Sequence, residues 1–237
     1  MRRLFFSLFL LLSALSVKAQ YNMQVWKDGK YVSFSIANVD SIRFVRLMTT
    51  CPDDNHPHAI DLGLPSGTKW CCCNVEASTP EGYGGYYAWG ETSEKSVYNS
   101  STYAYYNSNT GYVNISTDIA GTSYDVARVR MGAPWSMPSI AQILELSNIC
   151  TGQWLQYNDV YGILVTGPSG GQVFFPAAGY HWNDIFSYPD SYGYYWSSSL
   201  CPNLDHTAYN LYVTDSWGWM NTGNDRAYGL SVRAVCP

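Results

Sequence analysis

Residues 191–200 read SYGYYWSSSL, and the position of this stretch decides how the rest of the fold is interpreted. Three tyrosines and one tryptophan stand among four serines, and none of the ten residues is charged. Such a run is typical either of a buried strand or of the edge of a binding surface. Because alternate side chains of a strand point to opposite faces, we expect Tyr194 and Trp196 to anchor the core. Tyr195 and the serines would then lead into a surface.

Residues 1–19 have the pattern of a Sec signal peptide. Arg2 and Arg3 form a basic start, an apolar run of about twelve residues follows, and the sequence SVKA ends at Ala19. The apolar run is too short to span a bilayer, and no later run is apolar enough to do so. No cysteine lies near the cleavage site, which argues against a lipoprotein anchor. We therefore expect an exported protein, located in the periplasm, at the cell surface or outside the cell.

The composition of the mature chain excludes some classes of partner. Removal of the three positive charges in residues 1–19 takes the formal net charge from −5 to −8. An acidic surface repels nucleic acid and anionic lipid, so we expect no nucleic-acid partner and no membrane span. Charged residues make up 13% of the chain and aromatic residues 16%. A chain this poor in charge must use tyrosine on its surface as well as in its core.

The cysteines favour disulfides or buried thiols over a metal site. Export makes disulfides possible, but an odd number of cysteines leaves at least one thiol unpaired in a monomer. Adjacent ligands cannot easily surround one tetrahedral zinc ion, so the CCC run suits a strand better. We predict no metal and no cofactor. The seven cysteines are Cys51, Cys71, Cys72, Cys73, Cys150, Cys201 and Cys236.

The chain divides into four segments. After the signal peptide, residues 20–48 form a small β module in which KDGK (27–30) marks a hairpin turn and NVDSIRF (38–44) offers another strand. Residues 49–58 form a polar linker, and residues 59–237 form the main domain. The linker carries four potential metal ligands, although short polar linkers contain such groups by chance: Asp53, Asp54, His56 and His58.

The main domain combines many short strands with one or two helices. Its strongest helix signal begins at Ser139, which can form a capping box with Gln142. A weaker helix is predicted over SYDVARVRMG (123–132), and hairpins around GPSG (167–170) and near Asp215 and Ser216. This mixture predicts an α+β fold with long loops. The apolar positions of the stronger helix are Ile140, Ile143, Leu144 and Leu146.

Seven ordered motifs resemble the Fibrobacter succinogenes major paralogous domain family, whose members are exported proteins. The resemblance covers residues 59–237 and implies a C-type-lectin-like fold of the formylglycine-generating-enzyme subtype. The segment WSMPSIAQILEL is similar to the one that leads into a helix in that subtype, and GYYWSSS and GLSVRAV resemble two of its late strands. The motifs are DLGLPSGTKW (61–70), CNVEAS (73–78), PEGYGGYYAWGET (80–92), PWSMPS (134–139), VTGPSGGQVFFPAAG (165–179), GYYWSSSL (193–200) and YGLSVRAVCP (228–237).

The same fold is used by the variable proteins of diversity-generating retroelements, which this chain also resembles. In those proteins a C-terminal stretch is varied to make new binding surfaces, and here it corresponds to residues 201–228. Asn, Asp, His, Thr, Ser and Tyr fill more than half of this stretch. Adenine-directed change of Asn codons would produce that set, but ordinary polar surface loops contain it too.

No catalytic set is readable from the sequence. The four histidines, His56, His58, His181 and His206, are scattered through linkers and loops, and no set of Cys, His and Asn is readable as a nucleophile system. The tripeptide WND (182–184) occurs in calcium-dependent lectins, but its usual upstream partner, Glu-Pro-Asn, is absent. Catalysis of the formylglycine-generating type is therefore the third-ranked hypothesis.

Binding fits the C-terminal composition better, because Tyr and Trp supply contact area at low entropic cost while Ser and Asn adapt their hydrogen bonds. We predict non-catalytic recognition of a glycan, a peptide or a cell-surface protein. The alternative is a structural surface component, similar to a fimbrial subunit, whose aromatic residues make assembly contacts. Trp196, Leu200, Leu211 and Val213 are assigned to the core. The predicted ligand-binding residues, which could also be strand formers packed between sheets, are Tyr209, Asn210, Tyr212, Trp217, Trp219, Asn221, Asn224 and Tyr228.

Overall fold

The structure is a computed structural model that describes residues 22–27, 29–35, 51, 53–215 and 223–237. The chain divides into two compact units, Met1–Arg46 and Leu47–Pro237. Within the described residues the fold is α+β, with mostly antiparallel strands and two helices. Neither helix is both long and apolar enough to cross a bilayer.

The first unit contains a two-stranded hairpin. Strands β1 (Asn22–Lys27) and β2 (Lys30–Ser35) are antiparallel, and Lys27 pairs with Lys30. Gly29 lies in a turn between the two strands, where KDGK predicts one, and it adopts a φ of 75° there, which glycine tolerates without steric cost. The further strand predicted over residues 38–44 lies outside the described residues.

The second unit holds the remaining strands and both helices. Three antiparallel sheets are built in the orders β15-β4-β3, β5-β6 and β7-β8-β9, and a fourth, mixed sheet has the order β11-β10-β12-β13-β14. In chain order the elements are β3 (Ala59–Asp61), β4 (Lys69–Asn74), β5 (Tyr106–Asn107), β6 (Gly111–Tyr112), α1 (Val126–Met131), α2 (Ile140–Ile149), β7 (Thr151–Tyr157), β8 (Val160–Thr166), β9 (Gln172–Pro176), β10 (Ala178–Trp182), β11 (Ile185–Pro189), β12 (Gly193–Leu200), β13 (Thr207–Val213), β14 (Gly223–Asp225) and β15 (Arg233–Cys236).

Helix α2 begins where the sequence predicts. The Ser139 hydroxyl accepts a hydrogen bond from the Gln142 backbone N–H at 3.3 Å, and Gln142 Oε1 accepts one from the Ser139 N–H at 2.9 Å. The capping box is therefore confirmed. Ile143 and Leu146 are buried, but Leu144 is exposed. The buried face of this helix is narrower than its apolar spacing predicts, because only one stripe of it packs on the sheet.

Strand β12 lies between β10 and β13, so both of its edges are paired. Trp196 is fully buried, as predicted, and its indole N–H donates to the Tyr87 carbonyl at 2.7 Å. Tyr195 is also buried, and its hydroxyl donates to the Pro176 carbonyl. Serines 197–199 are buried too. The prediction that Tyr195 and the serines lead into a surface is therefore wrong.

The small serine side chains let helix α2 and its preceding loop approach β12 closely. The Ser198 N–H donates to the Pro138 carbonyl at 2.8 Å, and the Ser199 hydroxyl accepts from the Ile140 N–H at 3.1 Å. The serine run thus satisfies backbone groups at the start of the helix, which have no partner within the helix itself. Its polar composition reflects this packing role.

Arg233 is fully buried and fastens β15 to its neighbours. Its guanidinium donates to Asn74 Oδ1 at 2.8 Å, to the Cys71 carbonyl at 3.1 Å and to the Phe174 carbonyl at 2.8 Å, and also to the Cys72 carbonyl. Each of these oxygen atoms accepts from one of the N–H donors of the guanidinium group. The backbone of the cysteine run in β4 is consequently held from one side.

Arg226 is the second fully buried arginine. It donates to the Tyr103 hydroxyl at 3.0 Å and to the carbonyls of Asp205 at 2.8 Å and Val113 at 3.1 Å. Its guanidinium also lies 4.9 Å from the centre of the Trp89 ring, within cation–π range. The loop before β13 is thereby tied to the interior.

Candidate functional site

A continuous group of aromatic rings, called the aromatic face below, is assembled by β10 to β13 and the turn after β14. Tyr180 stands at its centre. Its ring stacks on Tyr228 at 5.7 Å with an interplanar angle of 9°, and it contacts Tyr188 at 6.1 Å and Tyr194 at 5.2 Å. The seven members of the aromatic face are Tyr180, Trp182, Tyr188, Tyr192, Tyr194, Tyr212 and Tyr228.

The remaining contacts join these rings into one surface. The ring centre of Tyr212 lies 4.8 Å from that of Tyr194 and 5.6 Å from that of Tyr192. The ring centres of Tyr192 and Tyr188 are 5.4 Å apart. Trp182 extends the group beyond Tyr228 at 6.3 Å. Trp182 and Tyr188 are the most exposed members, at 45% and 55%, and the other five are partly buried. Each exposed ring is therefore positioned by neighbours that the sheet holds.

Strand register explains this arrangement. Tyr194 and Tyr212 are direct partners on β12 and β13, where side chains lie close enough to interact. Gly179 and Gly193 pair where β10 meets β12 in parallel. A Cβ on Gly179 would lie 2.2 Å from the Ser187 carbonyl oxygen of β11, so glycine at this position permits the close approach of β11 to β10 next to Tyr180.

The polar chemistry of the aromatic face comes from neutral phenols and nearby carboxylates. Burial raises the pKa of Tyr194, Tyr212 and Tyr228, so their hydroxyls remain available as donors at neutral pH. Beside Tyr192 lies a cleft of about 280 Å³, whose lining includes Asp190 and Asp215. The arrangement can stack against an apolar ligand surface and hydrogen-bond to its polar groups.

The predicted ligand-binding residues lie in different environments in the structure. Tyr212 and Tyr228 belong to the aromatic face. Tyr209 and Asn224 are partly buried, and Tyr209 occupies the opposite face of β13 from Tyr212. Asn210 is fully buried, so its assignment to a binding surface is wrong. Three further predicted residues lie outside the described residues: Trp217, Trp219 and Asn221.

Asn210 lies on an internal strand. It pairs directly with Trp196 of β12, and β14 pairs with the other edge of β13 at Ala208. Sheet order thus accounts for the paired edges of β13. The alternating pattern TAYNLYV does not reveal that the face of β13 is covered at Asn210.

Three members of the aromatic face lie earlier in the chain than the predicted ligand-binding residues, because they belong to the β10–β11 hairpin: Tyr180, Trp182 and Tyr188. The available signal was the alternation in YHW and IFSY around a two-residue turn. Trp182 pairs with Ile185, which leaves Asn183 and Asp184 as that turn, with a φ of 55° at Asn183. The WND tripeptide is therefore part of a hairpin.

The Asn183 side chain is engaged within the protein, since its Oδ1 accepts from Asn99 Nδ2 at 3.0 Å. His181, which the sequence analysis placed in a loop, belongs to β10 and stacks on Phe186 at 4.8 Å. Burial lowers the pKa of His181. This histidine packs among aromatic rings behind the hairpin.

A second feature is a group of potential metal ligands. Cys51, His56, His58 and Cys72 place one ligand atom each within 4.8 Å of all the others. No other group of three or more His, Cys, Asp or Glu ligands of this kind occurs among the described residues. All seven cysteines fall within the described part of the chain, and all are free thiols.

The thiols around Cys72 are electrostatically linked. Hydrogen bonds from the thiols of Cys51, Cys71 and Cys73 hold the pKa of Cys72 well below its usual range. The same bonds raise the pKa of the three donor thiols. Within the CCC run, Cys72 is therefore the cysteine whose pKa is lowered, and the thiolate is the form of cysteine that binds metals.

Comparisons of the chain with protein-family models, with curated proteins and with solved structures found no match. The functional interpretation therefore depends on the geometry of the aromatic face and on the motifs in the sequence.

Proposed function

We propose that this protein is an exported, non-catalytic recognition protein that binds its ligand through the aromatic face. We further propose that residues 59–237 form a C-type-lectin-like domain of the formylglycine-generating-enzyme subtype. The α+β composition, the short antiparallel strands and the capped helix α2 are compatible with that domain. The motif segments that carry the resemblance include β4, β12 and β15.

The observation that carries the proposal is the continuity of seven rings, two of which are strongly exposed. Exposed apolar patches on soluble proteins commonly mark interaction sites, and Ile185, the direct partner of Trp182, adds exposed apolar area. Each ring is already held by ring neighbours, so binding would require little further ordering of side chains. Tyrosine-rich surfaces of this kind recognise ligands in other protein classes.

A glycan fits this chemistry best among the three ligand classes. Sugar rings have apolar C–H faces that stack on aromatic side chains, and their hydroxyls accept from phenols and donate to carboxylates. Asp190 and Asp215 provide such acceptors beside Tyr192, and Asp190 also accepts from the Tyr83 hydroxyl at 2.8 Å. A peptide or a cell-surface protein would use the same rings with different polar contacts.

A glycan array with the full chain tests the proposal, using Trp182→Ala and Tyr188→Ala as site variants. We expect each to weaken binding by about 2 kcal/mol, which is roughly 30-fold in Kd. Tyr31→Ala is the matched control, because Tyr31 is 52% exposed and belongs to the other unit. Equal affinity of all three variants would locate binding elsewhere.

The alternative, an assembly component, predicts a different outcome from the same variants. The full chain would then self-associate in sedimentation experiments, and Trp182→Ala would abolish that association. A monomeric protein that binds glycans would exclude assembly through this surface.

We also propose that residues 201–228 are the stretch diversified by a retroelement. Among the described residues of this stretch, 202–206 and Asp215 are exposed, and residues 202–205 line a cleft of about 600 Å³ together with Asn114 and Thr117. Sequencing of the genomic locus tests this. Near-identical template and variable repeats that differ at adenines would support it, and a single unrepeated copy would refute it.

A further inference from the structure

The segment that precedes β3 folds back onto the centre of a sheet. Ala59 of β3 pairs with Cys71 of β4, and the Cys72 N–H donates to the His58 carbonyl at 3.0 Å. The ladder thus continues one residue beyond β3 and places His58 beside Cys72. His56 and Cys51 lie on the same short segment, so strand pairing alone brings two histidines and two cysteines together.

The distances between the ligand atoms match a tetrahedral metal site. Cys72 Sγ lies 3.3 Å from His56 Nδ1 and 3.7 Å from His58 Nδ1. In a tetrahedral zinc site with bonds of about 2.3 Å to sulfur and about 2.05 Å to nitrogen, the N and S atoms are ~3.5 Å apart. The two observed distances lie on either side of that value, and all four ligand atoms lie within 4.8 Å of one another.

The surroundings of the four side chains resemble those of metal ligands. His58 faces Cys72 with Nδ1, and its Nε2 lies 3.1 Å from Asp53 Oδ1. A carboxylate on the distal nitrogen of a histidine fixes the ring orientation in many metal sites. The His58 backbone N–H donates to Cys72 Sγ at 3.0 Å, and a donor of this kind favours the thiolate over the thiol.

We propose that Cys51, His56, His58 and Cys72 bind one Zn²⁺ ion in a structural site. Thiolate and imidazole ligands in tetrahedral geometry suit zinc, whereas Mg²⁺ and Ca²⁺ require oxygen ligands. Four protein ligands leave no open position for substrate, which is typical of structural rather than catalytic zinc. Protons still held by the two cysteines pass to solvent as the metal binds.

The consequence for the fold is local. Zinc would fasten the segment that precedes β3 to the central strand β4. The backbone of β4 is also held by Arg233, from another side. Cys51, His56 and His58 are only partly buried, so the metal can enter from solvent. The site is independent of the aromatic face, and its test does not require a known ligand.

Metal content is measured first on the full chain, purified without reductant and dialysed against metal-free buffer. We expect one zinc per chain by elemental analysis. Replacement of zinc by Co²⁺ should give the intense visible bands of tetrahedral cobalt and a near-ultraviolet thiolate-to-cobalt band. Chain without bound metal, or a disulfide between Cys51 and Cys72 detected by peptide mass analysis, would overturn the proposal.

Variants then assign the ligands. His56→Ala changes a partly buried side chain and should lower zinc affinity by more than the roughly 10–100-fold typical of losing an outer hydrogen-bond partner. Cys51→Ser should do the same, and it avoids disturbing the buried Cys72. Asp53→Asn should fall within that 10–100-fold range while keeping the tetrahedral cobalt spectrum.

His206→Ala is the matched control, because His206 is exposed and belongs to no group of potential ligands among the described residues. It should retain one zinc at unchanged affinity. Retention of one zinc by both His56→Ala and Cys51→Ser would show that the metal, if bound, lies elsewhere, and would refute this site.

Discussion

Replacement of Trp196 by alanine tests the architecture of the domain most directly. The side chain is fully buried in β12, and truncation of a buried tryptophan costs roughly 3–5 kcal/mol. Loss of its hydrogen bond adds little, because the Tyr87 carbonyl that accepts from the indole also accepts from the Leu230 N–H at 3.1 Å. We therefore expect the cavity to account for nearly all of the loss.

This loss is large compared with the total stability of about 5–15 kcal/mol that is typical of a folded domain. For a chain of this size each kcal/mol corresponds to roughly 2–4 °C, so Trp196→Ala should lower the melting temperature by roughly 6–20 °C. Trp196→Phe should lose less, because most of the ring volume remains. Urea titrations monitored by circular dichroism give the loss in free energy of unfolding for both Trp196 variants, and thermal melts monitored in the same way give the melting temperatures.

Trp182→Ala is the matched control for the same residue type. Trp182 is exposed at the edge of the aromatic face, so its removal should change the free energy of unfolding by no more than about 0.5 kcal/mol. A loss in Trp182→Ala equal to that in Trp196→Ala would mean that both rings are core. The aromatic face would then not exist as a surface.

Three further predictions concern the helix, pH and export. Ser139→Ala should lower the free energy of unfolding by roughly 1 kcal/mol, seen as a lower urea midpoint, and Gln142→Ala should lower it less. Burial lowers the pKa of His181, so the unfolded state binds more protons and the free energy of unfolding should fall as pH drops below about 6.5. In urea titrations at several pH values, His181→Gln should weaken this dependence, and an unchanged dependence in that variant would contradict the prediction. N-terminal mass analysis of exported protein should show cleavage after Ala19, and an intact signal segment in that pool would contradict it.

Local signals in the sequence predicted local structure well. The capping box at Ser139 involves residues three positions apart, and the KDGK hairpin involves neighbours, so both are visible in a short window. The burial of Trp196 follows from its type and its place in a strand. The α+β class likewise follows from the mixture of helical and alternating patterns.

Non-local arrangement accounts for the errors. The burial of Tyr195 and Asn210 depends on what packs over the faces of β12 and β13, and distant segments supply that packing, as Phe175 and Pro176 do for Tyr195. The linker histidines could be named as potential ligands, but their grouping with Cys72 could not be predicted, because His58 and Cys72 meet only through the pairing of β3 with β4. Spacing along the chain could not show that one cysteine of the CCC run faces the linker histidines.

Buried Arg226 holds the loop at residues 202–206 largely through main-chain atoms, so the anchoring of this loop depends little on its side chains. Two of its three hydrogen bonds are accepted by the main-chain carbonyls of Asp205 and Val113, and every amino acid presents that oxygen. Residues 202–206 can therefore exchange their side chains while the anchor beneath them stays the same. This arrangement would let substitutions accumulate beside the cleft without removing the hydrogen bonds that hold the loop to the interior.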